Sequence, residues 1–224
     1  MARLPDTLVR RRGGALDRAA VLAVAVGLVL LFRHVVFRPW YWGLWQPWWG
    51  RLPRGEHLLV GHLVVWSLPM ALVAWLVIRV LVQSWRLQPL SLTRHLRRAL
   101  TDGVVAGLVA SAVAIAAALA TGMHFHWHPD AWAMAGNVFS NFYEELFYRG
   151  LVFAAGWYAT GSALGGAAVS GWAFGYTHTQ FPMPMRVLVG AIGALWSWAY
   201  ARSGNLLAPY VAHELSDIIL DAIL

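Results

Sequence analysis

The chain has 224 residues, of which 59% are hydrophobic and 12% charged, and its net charge is +7. This apolar excess is too large for a soluble core of this size, and it excludes disorder or a coiled coil as the main state. The absence of cysteine excludes disulfides, thiolate zinc sites and a cysteine nucleophile. The 17 basic residues are all arginine and flank apolar runs, as topology determinants do, so we expect no nucleic-acid partner. The composition therefore predicts an all-α, polytopic transmembrane bundle of about seven spans with interfacial segments.

The N-terminal half predicts three membrane spans behind a basic tail, residues 1–18, and we group residues 19–130 as the N-terminal spans. The three predicted spans are residues 19–32, 57–82 and 103–121. Residues 39–50 are rich in tryptophan, and we interpret them as an interfacial segment because indole rings prefer the headgroup boundary. The tail carries five arginines and the connection 79–98 five more, which predicts a cytoplasmic N-terminus.

The third connection, residues 122–130, contains no arginine but has alternating histidines at His124, His126 and His128. We interpret it as an interfacial loop. Metal binding by the three imidazoles is the alternative, and it requires the loop to be extended.

Residues 131–224 are predicted to form a helical core that carries the chemistry. Its four predicted helical stretches are residues 131–158, 162–179, 187–201 and 206–224. A stripe of small residues in the second of these stretches predicts a close approach to a neighbouring helix. A charged side chain in hydrocarbon costs roughly 2.5–3.5 kcal/mol, so the ionisable residues of these stretches are candidates for function.

The first polar cluster lies in the fourth predicted span. Helical spacing places Asn141, Glu144 and Tyr148 on one face. Glu145 and Arg149 are four residues apart on the neighbouring face, which predicts an ion pair. The alternative is that both acids and the arginine only hold helices together.

Two further clusters follow in later spans. Phe174 and His178 are four residues apart, and so are His213 and Asp217. A carboxylate and a neutral imidazole together form a workable general base for hydrolysis. The alternatives are a hydrogen-bonded packing histidine and a polar end of the last helix. We expect Glu144, His178 and His213 to surround one water molecule.

The three clusters, taken in order, resemble the three motifs of the CPBP family of intramembrane endopeptidases. This family comprises the CAAX-prenyl-protease and bacteriocin-processing enzymes, also called Rce1-like or Abi proteins. The residues that carry the resemblance are Glu144-Glu145-x-x-x-Arg149, Phe174-x-x-x-His178 and His213-x-x-x-Asp217.

The resemblance implies an endopeptidase in a bacterial plasma membrane in which Glu144 activates the attacking water with help from His178. It implies that Glu145 and Arg149 organise the site and that His213, with the residue four later, steadies the oxyanion. The family usually has asparagine at that last position, where this chain has Asp217. Because an ionised aspartate cannot donate a hydrogen bond, Asp217 is either protonated or orients another group. Phe174, Tyr148 and Asn141 are weaker candidates for substrate contact.

The mechanism and substrate stay open at this stage. We favour a metal-free glutamate mechanism without a cofactor. Zinc held by Glu144, His178 and His213 is the alternative. A lipidated chain, a leader peptide or a C-terminal anchor helix in the bilayer are the candidate substrates.

Several competing functions are less well supported by the sequence. A site-2-type metalloprotease would need a histidine where Asp217 stands. A rhomboid-type serine protease would use Ser170, which fits the stripe of small packing residues better. A transporter would normally show an internal repeat, and we find none. A non-catalytic family member that acts in immunity or as a scaffold is the main alternative.

Overall fold

The computed structural model describes residues 14–34, 51, 53, 67–85, 91–122 and 124–223. The predicted tryptophan-rich segment, most of the basic tail and the first part of the second span lie outside the described residues. Within the described ranges all regular secondary structure is helical, which confirms the predicted all-α bundle.

The helices are α1 Ala15–Leu31, α2 Leu68–Trp85, α3 Leu96–Ala120, α4 Ala131–Glu145, a π-helical segment Leu146–Phe153, α5 Ala154–Thr160, α6 Ala163–Thr177, α7 Met183–Ser203 and α8 Leu207–Ile223. Because α4, the π-helical segment and α5 are continuous, the described chain forms seven helical stretches. Two of them, Ala15–His34 and Leu96–Ala120, are long and apolar enough to cross a membrane by length and composition.

Local polar groups explain several helix ends. The Asp17 carboxylate accepts a hydrogen bond from the Gly14 amide at 3.0 Å, so α1 begins before the apolar run predicted from residue 19. The Ser162 hydroxyl accepts a hydrogen bond from the Gly165 amide and caps α6. Gly161 and Gly204 end α5 and α7 with positive φ angles of 75° and 64°, which glycine adopts without strain.

Helix α7 is longer than the sequence predicts. The predicted span of residues 187–201 stops at the flanking arginines, whereas the helix runs on through both of them. Arg186 donates hydrogen bonds to the carbonyl oxygens of Gly175 and Tyr176 at the end of α6. Arg202 lies 3.3 Å from Asp102 in α3. Since both arginines find partners on neighbouring helices, neither one ends α7.

Small residues let α6 and α8, which carry the second and third polar clusters, pack closely against α7 and α3. A Cβ atom on Gly171 of α6 would lie 2.8 Å from the Ala194 Cβ atom of α7, so the predicted close approach is confirmed. A Cβ atom on Gly103 of α3 would lie 2.6 Å from the Ala208 carbonyl oxygen of α8. The pairs α6–α7 and α3–α8 have the most extensive contacts between helices.

The histidine-containing loop packs along the end of the last helix. The backbone amides of His126 and His128 donate hydrogen bonds to the carbonyl oxygens of Ile223 and Ala222 at 3.1 and 3.0 Å. The three imidazoles are exposed. Among the described residues, no three His, Asp or Glu side chains are grouped to hold a metal ion, and this loop is no exception. The loop therefore satisfies helix-terminal carbonyl groups.

Candidate active site

Glu144 and His178 line the same cavity. The cavity has a volume of about 70 Å³. Its walls are side chains from the residues directly after α1, from α4, from the π-helical segment, from the end of α6 and from the turn that follows. One water molecule needs roughly 10–15 Å³ of such space, so the cavity has room for water beside the carboxylate. Helix α4 begins at Ala131, and its last turn delivers Glu144 to the cavity.

The orientation of the His178 ring is fixed by one hydrogen bond. Nδ1 lies 2.7 Å from the carbonyl oxygen of Phe174, one turn earlier. A carbonyl oxygen only accepts, so Nδ1 must carry the proton and donate it. In a neutral ring Nε2 is then the unprotonated nitrogen and is available as a hydrogen-bond acceptor.

Glu145 does not line this cavity and forms a fully buried ion pair with Arg149. Its Oε1 atom accepts hydrogen bonds from Arg149 Nη1 at 2.9 Å and from His213 Nδ1 at 2.8 Å. The side chains of Glu145 and Arg149 are both 0% exposed. Arg149 also donates to the carbonyl oxygen of Gly193 in α7 at 3.0 Å. The predicted ion pair is confirmed, and it joins α4, α7 and α8 at one point.

The Arg149 guanidinium is surrounded by aromatic rings. Its central carbon lies 4.8 Å from the ring centre of Phe174, 5.4 Å from that of Trp196 and 5.9 Å from that of Tyr148. Cation–π attraction of this kind strengthens when water is excluded. The aromatic side chains therefore provide part of the stabilisation that a buried cation requires.

Asp217 is hydrogen-bonded to the side-chain amide of Asn141 and lies near His213. Asn141 Nδ2 donates to Asp217 Oδ2 at 2.8 Å, and His213 Nε2 lies 3.6 Å from the same oxygen. His213 thus faces a carboxylate on each side, and it does not line the cavity of Glu144 and His178. Of the three residues expected to surround one water molecule, the cavity brings together Glu144 and His178, and their contact with water stays a prediction.

Phe174 and Tyr148 pack between the motif residues. The Phe174 ring lies 4.3 Å from the His178 ring and 5.5 Å from the His213 ring, measured between centres. Tyr148 lines the cavity, and its hydroxyl is hydrogen-bonded to Thr177 Oγ1. Phe174 and Asn141 lie outside the cavity lining, so the structure gives them contacts with site residues and their role toward substrate stays a prediction.

The site helix changes from α to π geometry directly after the two glutamates. The π-helical segment Leu146–Phe153 contains Tyr148 and Arg149 and is buried throughout. Ser170 in α6, itself 0% exposed, donates a hydrogen bond to the Tyr148 carbonyl oxygen at 2.9 Å. Ser197 in α7 donates to Ser170 Oγ at 3.0 Å. Ser170 is therefore a buried partner of the irregular backbone and is not placed as a rhomboid-type nucleophile.

Sequence reasoning missed five residues of the cavity wall: Phe32, Arg33, Tyr143, Thr177 and Gln180. Two of them come from the end of the first helical stretch, far from the motifs in sequence. Gln180 follows His178 by two residues in the turn after α6, and Tyr143 precedes Glu144 directly. Only the proximity of Tyr143, Thr177 and Gln180 to motif residues could have signalled them.

The three residues proposed as zinc ligands are not arranged to hold a metal ion. Within the described residues no such group of three is present, and both ring nitrogens of His213 face carboxylate groups. This set of donor atoms therefore does not fit a metal ion.

The region that contains these side chains is similar to a known protein family. Residues 126–219 match the family described as type II CAAX prenyl endopeptidase Rce1-like. No curated protein matches the chain. The same holds for solved structures. The match begins in the loop before α4, ends within α8 and includes all three motifs. The chain is therefore similar to the Rce1-like family over this region, which is less than half of its length.

Proposed function

We propose that the chain hydrolyses a peptide bond of a membrane-associated substrate with a water molecule activated by Glu144 and His178. The observation that carries this proposal is that both side chains line one cavity large enough for water. A carboxylate and an imidazole acceptor beside one water form a general-base pair, and general-base catalysis typically contributes a factor of 10²–10⁴.

In the proposed hydrolysis Glu144 acts first as a base and then as an acid. Glu144 takes a proton from the water, and the resulting hydroxide oxygen bonds to the carbonyl carbon of the substrate. His178 Nε2 accepts the second water hydrogen bond and orients the attacking oxygen. The Glu144 carboxyl then returns its proton to the leaving amine as the C–N bond breaks.

An oxyanion stabiliser must come from the cavity wall rather than from His213. The Gln180 amide and the Tyr143 hydroxyl are hydrogen-bond donors that line the cavity. The Tyr143 hydroxyl donates a hydrogen bond to Glu144 Oε1 at 3.4 Å, and it can turn to the oxyanion once Glu144 has taken the water proton. We assign oxyanion stabilisation to these two residues, since donors aimed at the developing charge contribute most in a site without bulk water.

Glu145, Arg149 and His213 act as positioning residues in this proposal. Their hydrogen bonds fix the turn that holds Glu144 against α7 and α8. In this proposal Asp217 accepts a hydrogen bond from Asn141 and lies 3.6 Å from His213 Nε2. An ionised aspartate can accept from that amide, so this role needs no donor at position 217.

The substrate class follows from the setting of the site. The family name points to C-terminal peptides of lipidated proteins, and a leader peptide or a C-terminal anchor helix are the alternative substrates. We place the protein in a bacterial plasma membrane with its N-terminus in the cytoplasm, in line with the arginine distribution.

The test compares peptide termini in membranes that contain the full chain or its Glu144→Gln variant. New C-termini of membrane peptides should appear with the wild-type chain and be absent with Glu144→Gln. Glu214→Gln is the matched control, because Glu214 is an acid of α8 that does not line the cavity. If both chains give the same termini while both remain folded, the protein is a non-catalytic family member.

A further inference from the structure

A second, larger groove lies next to the cavity, between α6 and α7. Its volume is about 640 Å³, within the range of pockets that hold small molecules. Its lining includes Arg33, Trp172, Tyr176, Met183 and Val187. Arg33 also belongs to the wall of the cavity of Glu144 and His178, so the two spaces are neighbours.

Two arginines meet at one aromatic ring in this groove. The guanidinium carbons of Arg33 and Arg186 lie 4.0 and 5.7 Å from the ring centre of Tyr176. The Tyr176 hydroxyl is also hydrogen-bonded to His34 Nε2 at 3.3 Å, which connects the end of the first helical stretch to α6. The groove therefore gathers two positive charges within a short distance.

Neither arginine has an acidic partner within the part of the chain that the structure describes. Arg186 donates to the Gly175 and Tyr176 carbonyl oxygens, which orients its guanidinium without neutralising it. The other half-buried arginine of α7, Arg202, pairs with Asp102. The two ends of α7 thus differ: one arginine is neutralised and the other faces the groove with Arg33.

The rest of the groove is apolar and open to the outside of the bundle. Met183 is 64% exposed, Val187 67% and Trp172 47%. Trp172 stacks on Tyr176 with ring centres 5.3 Å apart. Aromatic and apolar side chains beside arginine are typical of the membrane boundary, where acyl chains meet headgroups.

We propose that this groove binds an anionic phospholipid, with its phosphate between Arg33 and Arg186 and an acyl chain along Trp172, Met183 and Val187. Arginine matches phosphate geometry and is favoured for its recognition. A lipid fits better than a peptide strand, because the groove walls are helices with internally paired backbones that offer no edge for strand addition. The proposal goes beyond the proteolytic function and does not depend on it.

The experiment measures lipid retention by the full chain in detergent and in nanodiscs. The probes are phosphatidylglycerol, phosphatidylcholine and inorganic phosphate. Native mass spectrometry and thermal unfolding should show retention of phosphatidylglycerol and stabilisation by it, with a weaker effect of phosphatidylcholine and none of phosphate alone.

Variants distinguish lipid binding in the groove from lipid binding elsewhere on the protein. Arg33→Gln and Arg186→Gln should each weaken phosphatidylglycerol binding about fivefold, the effect of one arginine at an anionic lipid surface. Arg186→Lys should keep most of the binding, which distinguishes lost charge from lost helix packing. Arg202→Gln is the matched control on the same helix and should bind as the wild type does.

Three outcomes overturn the proposal. The first is equal binding of phosphatidylglycerol and phosphatidylcholine. The second is phosphatidylglycerol binding that is unchanged in both the Arg33→Gln and the Arg186→Gln variant. The third is stabilisation by inorganic phosphate that is as large as stabilisation by phosphatidylglycerol. The Glu144→Gln variant should still bind phosphatidylglycerol. Because this variant should lose proteolysis and keep lipid binding, a failure of the proteolysis proposal can be distinguished from a failure of the lipid-binding proposal.

Discussion

His213 donates a hydrogen bond from Nδ1 to Glu145 Oε1 at 2.8 Å, across 68 positions of sequence. The same carboxylate oxygen accepts a hydrogen bond from Arg149. The motif histidine of the last helix is therefore bound to the second glutamate of the fourth helical stretch, while the first glutamate, Glu144, is left to the cavity. This division separates the glutamate that lines the cavity from the glutamate that is bonded to neighbouring helices.

Removing the charge of Glu145 should destabilise the protein strongly. In Glu145→Gln the buried Arg149 loses its ionised partner, and breaking such a pair typically lowers the free energy of unfolding by about 3–5 kcal/mol. The measurement is thermal or denaturant unfolding of the purified chain in detergent. Arg98→Gln is the control: Arg98 is 44% exposed beside Asp102, and we expect a loss below about 1 kcal/mol.

A double variant tests whether the buried pair serves stability or position. Glu145→Leu combined with Arg149→Met removes both charges, so it should cost less stability than Glu145→Gln alone. Its proteolysis should nevertheless be lost, because the turn that carries Glu144 loses its hydrogen bonds to α7 and α8. A double variant with full activity would contradict the positioning role.

Ser170 should stabilise the π-helical segment through the Tyr148 carbonyl. Ser170→Ala leaves this buried oxygen without its hydroxyl donor, at a cost of about 1–3 kcal/mol in the free energy of unfolding. Ser111→Ala is the matched control, since its buried hydroxyl donates only within its own helix to Gly107. Equal losses of unfolding free energy in the two variants would show that the hydrogen bond from Ser170 to the Tyr148 carbonyl oxygen contributes no more stability than a hydrogen bond within one helix.

Gly193 should be intolerant of a methyl group. A Cβ atom there would lie 2.9 Å from Phe174 Cδ1, and Phe174 packs on His178. We expect Gly193→Ala to lower the free energy of unfolding by about 1–3 kcal/mol and to reduce proteolysis as the His178 ring shifts. At Gly27 nothing lies within 4 Å of the added atom, so Gly27→Ala should be neutral or stabilising. Unfolding and cleavage assays on both variants make the comparison.

Loss of the His178 imidazole should remove catalysis with little effect on folding. His178→Ala should slow cleavage by about 100-fold or more, the typical contribution of one acid–base group. His128→Ala, in the exposed loop before α4, should cleave at the wild-type rate. Wild-type cleavage by a folded His178→Ala variant would exclude this residue from the reaction.

The predictable features are those that depend on local spacing and composition. The apolar runs gave the helical stretches, and the four-residue spacing of Glu145 and Arg149 gave their ion pair. The small residues of α6 predicted a close approach to a neighbouring helix, which in the structure is α7. Each of these follows from helix geometry and needs no knowledge of the tertiary structure.

The unpredicted features arise from tertiary contacts. The π-helical segment breaks the 3.6-residue period directly after Glu145, and its buried carbonyl oxygen is satisfied by a serine from another helix. His213 was expected beside Glu144, yet its partners are Glu145 and Asp217. Phe32 and Arg33 reach the cavity from the first helical stretch, where no motif marks them. Sequence spacing contains no information on which helices meet.

Cross-linking of positions 144 and 178 tests the central claim, that these two side chains face one cavity. The chain contains no cysteine, so a double variant Glu144→Cys with His178→Cys has only two thiols. A short bifunctional maleimide should join them within one chain, detected by mass spectrometry of the linked peptides. The control Glu214→Cys with His178→Cys should not link. Linkage in the control and none between positions 144 and 178 would contradict the shared cavity and the hydrolytic site built on it.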